Sequence, residues 1–338
     1  MSSRIFISLF QYFNAWLLIA FVVALAAVSE KIYFRGLAAF RAKAAEGGRP
    51  SVNFARWFRS PVALPGGARV RTALFCPVLA FAALLTVCAC LPVCTYIPII
   101  DNGADVVQLA QFMLLSEVFV LVSLYAAGTE EALEIARAEM RNMIRFLIPF
   151  MAACASIAAY LIKNGLDTDP FSFNSFSLFG QMRSMSWCGV AGMLLFMLAV
   201  LSQAPQRGAS SGTLLLEEGE LPDYGGAPRG ILQIWSVVRS FIVVAVMTYI
   251  VFPSELMGTF GESAAIAWSG QAVNFVVFWL SVAAMRVAAV PLCRAVVAAV
   301  ERPLPAYARG GVVYALTAAA VLLLWYEGIV LSMEAAAF

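Results

Sequence analysis

The chain has 338 residues, of which 62% are hydrophobic and 12% charged, with a mean hydropathy of +0.86. A soluble domain carries about 25% charged residues, so this composition excludes an ordinary water-soluble fold and fits a chain solvated by a bilayer. The net charge of +2 excludes little, but the lack of any histidine excludes haem ligation by His, His-containing catalytic triads and the usual neutral-pH proton shuttle.

Apolar runs of bilayer-crossing length recur at about 5–28, 72–97, 107–127, 143–163, 185–203, 231–252, 271–291 and 311–333. The first is too long for a signal-peptide core and lacks a basic lead beyond Arg4, so it reads as a retained span. Only a helix satisfies every backbone group across such a run. The expected fold is therefore all-α, a polytopic membrane protein of about eight transmembrane helices.

Loop charge sets the expected orientation. Seventeen of the 22 Lys and Arg residues fall in four alternate connections, at residues 29–71, 128–142 with Arg145 just beyond it, 204–230 and 292–310. The other connections carry Asp101, Asp105, Asp167, Asp169, Glu255 and Glu262, with only Lys163 and Arg183 basic. The positive-inside rule places the basic set in the cytoplasm, and an even helix count then puts both termini outside.

The long first connection has internal order. Val52-Asn53-Phe54-Ala55-Arg56-Trp57-Phe58-Arg59 spaces aromatics and arginines as an interfacial amphipathic helix does, and it stops before Pro61. The preceding Glu46-Gly47-Gly48-Arg49-Pro50 is a sharp bend. The seven cysteines are scattered, and Cys88, Cys90 and Cys94 lie in apolar sequence with no fourth ligand nearby, so they read as small packing residues. No P-loop, dinucleotide fingerprint, Cys-x-x-Cys pair or nucleophile elbow is present.

Three charge constellations bear chemistry. Glu217, Glu218, Glu220 and Asp223 put four carboxylates within seven residues of one cytoplasmic loop. Clustered carboxylates repel one another and can relay protons, or they can simply solvate a loop that closes a helical hairpin. A charged helix with Glu130, Glu131, Glu134, Arg137 and Glu139 leads straight into the fourth span. It reads either as the wall of a hydrated funnel or as a salt-bridged interfacial turn. Glu117, Arg239, Arg286 and Glu327 lie within spans, where an ionised group costs about 2.5–3.5 kcal/mol on insertion scales and needs a partner or water. Glu117 is expected to pair with Arg286 or Arg239. Glu327, nearer the outer side, has the option of snorkelling to the interface.

The run Glu218-Gly219-Glu220-Leu221-Pro222-Asp223-Tyr224-Gly225-Gly226 resembles the cytoplasmic loop of the H-subunit family of respiratory complex I. It is closest to the membrane subunit of energy-converting nickel–iron hydrogenases, formate hydrogenlyase subunit 4 being the example. Gly47-Gly48-Arg49-Pro50 followed by the Arg56/Trp57 helix resembles that family's segment after the first span. Ala136-Arg137-Ala138-Glu139-Met140 resembles its Ser-Arg-Glu-Met helix start. These matches fall in the family's order along nearly the whole chain.

The resemblance implies a hinge between a cytoplasmic Fe–S electron-transfer arm and antiporter-like, ion-pumping membrane subunits, in the inner membrane of a prokaryote. It implies a proton path that includes Glu117, Glu130, Glu131, Glu134, Glu139, Glu217, Glu218, Glu220 and Asp223. Arg49, Arg56, Arg59, Arg137 and Tyr224 would face the arm, with Arg239 and Arg286 as intramembrane charges. No cofactor is expected on this chain; Fe–S clusters and a nickel–iron centre would sit in partner subunits. The chain departs from the family at Pro205–Leu214, where the usual acids are missing, and it lacks the quinone-cavity motif of the complex I branch. A membrane anchor of the same fold without coupling, and a stand-alone transporter or channel built on Glu117 and Arg286, therefore stay open.

Overall fold

The computed structural model describes residues 59–90, 105–163, 169–172, 176, 187–204, 224–251, 273, 276–305, 308 and 310–337, with isolated positions among residues 20–28. Within them the chain is helical: α1 Val70–Cys90, α2 Val106–Ala127, α3 Glu130–Lys163, α4 Trp187–Ser202, α5 Gly226–Val251, α6 Val276–Glu301 and α7 Val312–Ala337. The one β pairing among these residues is an isolated bridge between Asp105 and Ser172. Six of the helices are long and apolar enough to cross a membrane, and α4 is apolar but has 16 residues. Apart from those isolated positions, the first expected span lies outside the described residues, as does the amphipathic segment before Arg59.

Local chemistry sets the helix ends. Asp105 caps α2 by accepting the Gln108 amide at 2.5 Å, and the helix closes at Gly128 with φ of 73°, a left-handed conformation natural to glycine. The next residue, Thr129, accepts the Ala132 amide at 3.3 Å and starts α3, whose first turn carries Glu130 and Glu131 at the positive end of the helix dipole. So tight a link makes α2 and α3 antiparallel neighbours. α3 then runs unbroken for 34 residues, so the charged helix and the fourth expected span are one element.

The helices alternate in direction. One end of the bundle gathers residues 60–70, the α2–α3 turn, the end of α4, the start of α5 and the α6–α7 turn. Arg69 donates its amide to the Ala126 carbonyl there at 2.9 Å, and Arg294 closes the end of α4 through the Ser202 carbonyl at 3.1 Å and the Ala204 carbonyl. At the opposite end the Val106 amide reaches the Phe171 carbonyl at 3.0 Å. α5 is the axis: 89% of its membrane-length window is buried, against 28–56% for the other five. α1 and the widened turn of α6 pack on it, α2 lies along α1 and α3, and α7 joins α3 to α4.

Two prolines shape the interior. Pro77 in α1 cannot donate to the Ala73 carbonyl one turn back, and the Ser123 hydroxyl of α2 lies 3.4 Å from that carbonyl and donates to it. Pro291 in α6 likewise has no amide hydrogen to give to the carbonyl one turn earlier. The helix widens just before it into a π turn over Met285–Ala289, closed by the Val290 amide on the Met285 carbonyl, and Arg286 sits in that turn.

Candidate functional site: a buried ion-pair cluster

α2, α3 and α5 bring three charged side chains together in the interior. Arg239 of α5 sends its Nε to the Glu117 carboxylate of α2, and its Nη1 lies 3.3 Å from Oε2 of Glu139 on α3. All three residues are buried, at 6%, 5% and 3% exposure. Two carboxylates thus share one guanidinium, and the cluster carries a formal charge of −1 when all three groups are ionised.

Polar groups from four helices frame it, side chains from α2, α5 and α6 and a backbone carbonyl from α1. The Arg239 guanidinium lies 5.1 Å from the centroid of the Trp235 ring, one turn earlier on α5, a cation–π contact. Trp235 Nε1 donates to Ser116 Oγ at 2.6 Å, and Ser116 donates to the Ala80 carbonyl of α1 at 2.8 Å. Ser240, beside Arg239 in sequence, accepts from Arg286 Nη2 at 2.8 Å, which ties the π turn of α6 to the same level of α5.

Above the cluster, where the chain enters α5, Tyr224 forms a second buried joint. Its hydroxyl donates to the Ser123 carbonyl at 2.8 Å and lies 3.2 Å from Ser123 Oγ. Burial pushes the Tyr224 hydroxyl pKa above its usual value, the Ser123 hydrogen bond offsetting part of the rise. The following glycines carry the chain past residues 60–63. Gly225 donates its amide to the Ala63 carbonyl at 2.9 Å, and Gly226, at φ 70°, donates to Ser60 Oγ at 3.2 Å. A Cβ on Gly225 would stand 2.9 Å from the Ala63 Cβ and the Pro61 carbonyl oxygen; on Gly226 it would stand 2.9 Å from Val62 backbone. Only glycine fits this crossing.

Tyr224, expected to face the soluble arm, is instead buried at 1% exposure and bonded to Ser123; the other expected site residues divide into three groups. Glu117, Glu139 and Arg239 meet, so the guanidinium paired with Glu117 is that of Arg239; Arg286 joins them through Ser240. Glu130, Glu131, Glu134 and Arg137 are exposed on the first turns of α3, as is Arg59 ahead of α1. Arg49, Arg56, Glu217, Glu218, Glu220 and Asp223 lie outside the described residues. Glu327 does not snorkel: it is 1% exposed on α7, packed so closely on Gly189 of α4 that a Cβ there would stand 3.2 Å from its Cγ and Cδ. Ser116, Ser123, Trp235 and Ser240 are not singled out by the sequence. Ser116 and Ser123 are seven apart in a mostly apolar helix, which is the spacing of one helical face.

The fold and this cluster define a multi-pass helical membrane protein with a charged interior. No protein-family model matches the chain, and no curated protein matches its sequence. Among solved structures it is similar to a chain of the membrane-bound sulfane sulfur reductase (MBS), an archaeal respiratory membrane complex, with a TM-score of 0.58 over 95% of this chain and 99% of that one. At 15% identity the likeness is one of fold.

Proposed function

We propose that this chain is an integral-membrane subunit of a complex I-like, redox-driven, ion-translocating assembly. It would link a cytoplasmic Fe–S arm to antiporter-like membrane subunits in a prokaryotic inner membrane, with both termini outside. The observation that carries the reading is the Glu117–Arg239–Glu139 cluster, lodged within a fold shared end to end with a chain of a respiratory membrane complex. Charges this deep are retained where they do work on ions or protons, because a purely structural role is better served by apolar packing.

The arrangement suits a proton relay. One guanidinium can hold one carboxylate while the other exchanges a proton, so the cluster can load and unload without stranding a lone charge. Glu139 belongs to the helix whose first turns expose Glu130, Glu131 and Glu134, giving a carboxylate series from the end of the bundle to its interior. The acidic loop Glu217, Glu218, Glu220 and Asp223 leads to Tyr224, whose hydroxyl is fixed to Ser123 on the helix that carries Glu117. Movement of the loop would reach α2 through that joint. Arg49, Arg56, Arg59 and Arg137 would meet the soluble arm, where the Fe–S clusters reside.

The hydrogenase type is supported by the order of sequence motifs, while the structural relative belongs to a complex named for sulfane sulfur reduction. The identity of the co-purifying large subunit decides between these acceptors. The functional test uses the intact assembly in proteoliposomes. Glu117→Gln should abolish redox-driven ion uptake while electron transfer by the arm and subunit composition persist. Uptake at the wild-type rate would refute the role of the cluster, and ion transport by this chain alone would establish an autonomous transporter instead.

A further inference from the structure

Arg137, Arg141 and Arg145 recur every four residues on α3, and all three are exposed. Successive members stand one turn apart, about 6 Å along the axis. Like charges at this spacing destabilise a helix by a few tenths of a kcal/mol per pair. Glu134, three residues before Arg137, compensates the first, but Arg141 and Arg145 have no acid three or four residues away on either side. Nor does either form an ion pair among the described residues. Beside them on the same face runs a second ladder: Met140 at 44%, Ile144 at 39% and Ile148 at 50% exposure.

The placement along the helix is specific. Arg145 is the last charge before Phe146–Ile162, seventeen residues without a charged side chain, about 26 Å of helix and close to the hydrocarbon thickness of a bilayer. Arg145 also reaches the neighbouring turn: its Nη2 occupies the space beside Gly310 between α6 and α7, where a Cβ would stand 3.0 Å away. A guanidinium held at the edge of an apolar run, with the exposed side chain of Ile148 about one turn deeper, presents a cation to a headgroup and a hydrocarbon surface to the acyl chain that follows it.

We propose that this face of α3 binds an anionic phospholipid, with Arg141 and Arg145 on the phosphodiester, Met140 and Ile144 beside them at the level of the headgroup and glycerol, and Ile148 against the start of one acyl chain. Guanidinium groups bind phosphate oxygens through paired N–H donors, and basic residues beside a span recognise anionic headgroups. Arg137, farther from the apolar run and paired by position with Glu134, stays available to the soluble arm. The assignment is independent of the redox reading, since it concerns lipid contact of the chain itself.

The test is native mass spectrometry of the full-length protein released from nanodiscs of mixed phosphatidylglycerol and phosphatidylcholine. The wild type should retain phosphatidylglycerol selectively. Arg141→Gln with Arg145→Gln should cut that selectivity about 30-fold, from roughly fivefold per arginine. Arg141→Lys with Arg145→Lys, which keeps the charges, should retain most of it and guards against loss of fold. Equal retention of both lipids by the wild type, or unchanged selectivity in the Gln variant, would overturn the proposal. So would displacement of the lipid by millimolar inorganic phosphate, which would mark a free-anion site. Cross-linking of positions 141 and 145 to a soluble subunit in the native assembly would equally overturn it.

Discussion

Arg239 and Glu139 meet at 3.3 Å inside the bundle although 100 residues separate them in the chain. Their contact joins the axial helix α5 to the helix whose outer turns carry the exposed acids. Glu117 on α2 holds the same guanidinium from the other side, so the cluster fastens three helices with one cation.

Removing that cation strands two buried carboxylates. Breaking a buried ion pair at one partner costs about 3–5 kcal/mol, whereas exchanging the whole set for apolar groups of similar size is often near neutral. Arg239→Met should therefore lower the thermal midpoint of the detergent-solubilised protein sharply. The triple variant Arg239→Met, Glu117→Leu, Glu139→Leu should recover most of the loss. Equal midpoints for the wild type and Arg239→Met would show that the pairs contribute little.

Tyr224→Phe deletes the 2.8 Å bond to the Ser123 carbonyl, and the expected loss is about 1 kcal/mol. Its pH dependence is diagnostic. Because the folded state raises the Tyr224 hydroxyl pKa, its contribution is complete below the unfolded value near 10 and fades as pH rises through the folded value. Thermal midpoints taken between pH 8 and 11 should fall more steeply at the top of that range in the wild type than in Tyr224→Phe. Parallel curves would count against the buried hydroxyl.

Gly226→Ala places a side chain at φ 70° and against the Val62 backbone. The left-handed conformation alone costs about 1–2 kcal/mol, and the contact adds to it. The variant should loosen the crossing of residues 60–63 over Tyr224–Gly226, seen as faster proteolysis near residue 60. Gly128→Ala, also at positive φ but with open space around it, should bear the conformational cost alone. Similar losses for the two would remove the steric part of the argument.

Glu218→Gln with Asp223→Asn separates coupling from anchoring. If the acidic loop feeds protons toward Glu117, the assembled complex should keep electron transfer and lose ion uptake. Full uptake in an intact complex would favour a membrane anchor of the same fold.

Much of this arrangement is legible in the sequence, for physical reasons. The apolar runs point to helices because a bilayer-length apolar segment has few other conformations. Glu117 and Arg239 stand out because charges are rare at that depth. Glu139 is harder to place: its neighbours Glu130, Glu131 and Glu134 are exposed, and only the close antiparallel return at Gly128–Thr129 turns it inward to the level of Glu117. The choice of Arg239 over Arg286 as the partner of Glu117 depends on helix packing, which composition does not encode. Arg286 instead sits in a widened turn that Pro291 foreshadows. The Tyr224–Ser123 joint is hidden because a serine in an apolar helix carries no signal of its own. Its reason for being there, the carbonyl left open by Pro77, lies 50 residues upstream.

The most direct test of the redox-complex reading is a mild-detergent purification of this chain from its native membrane, with mass spectrometry of all that accompanies it. The expected companions are an Fe–S subunit, a large subunit of hydrogenase or sulfur-reductase kind, and antiporter-like membrane proteins, in fixed proportion. Recovery of this chain alone would contradict that reading and make the Glu117–Arg239–Glu139 cluster the site of an autonomous transporter.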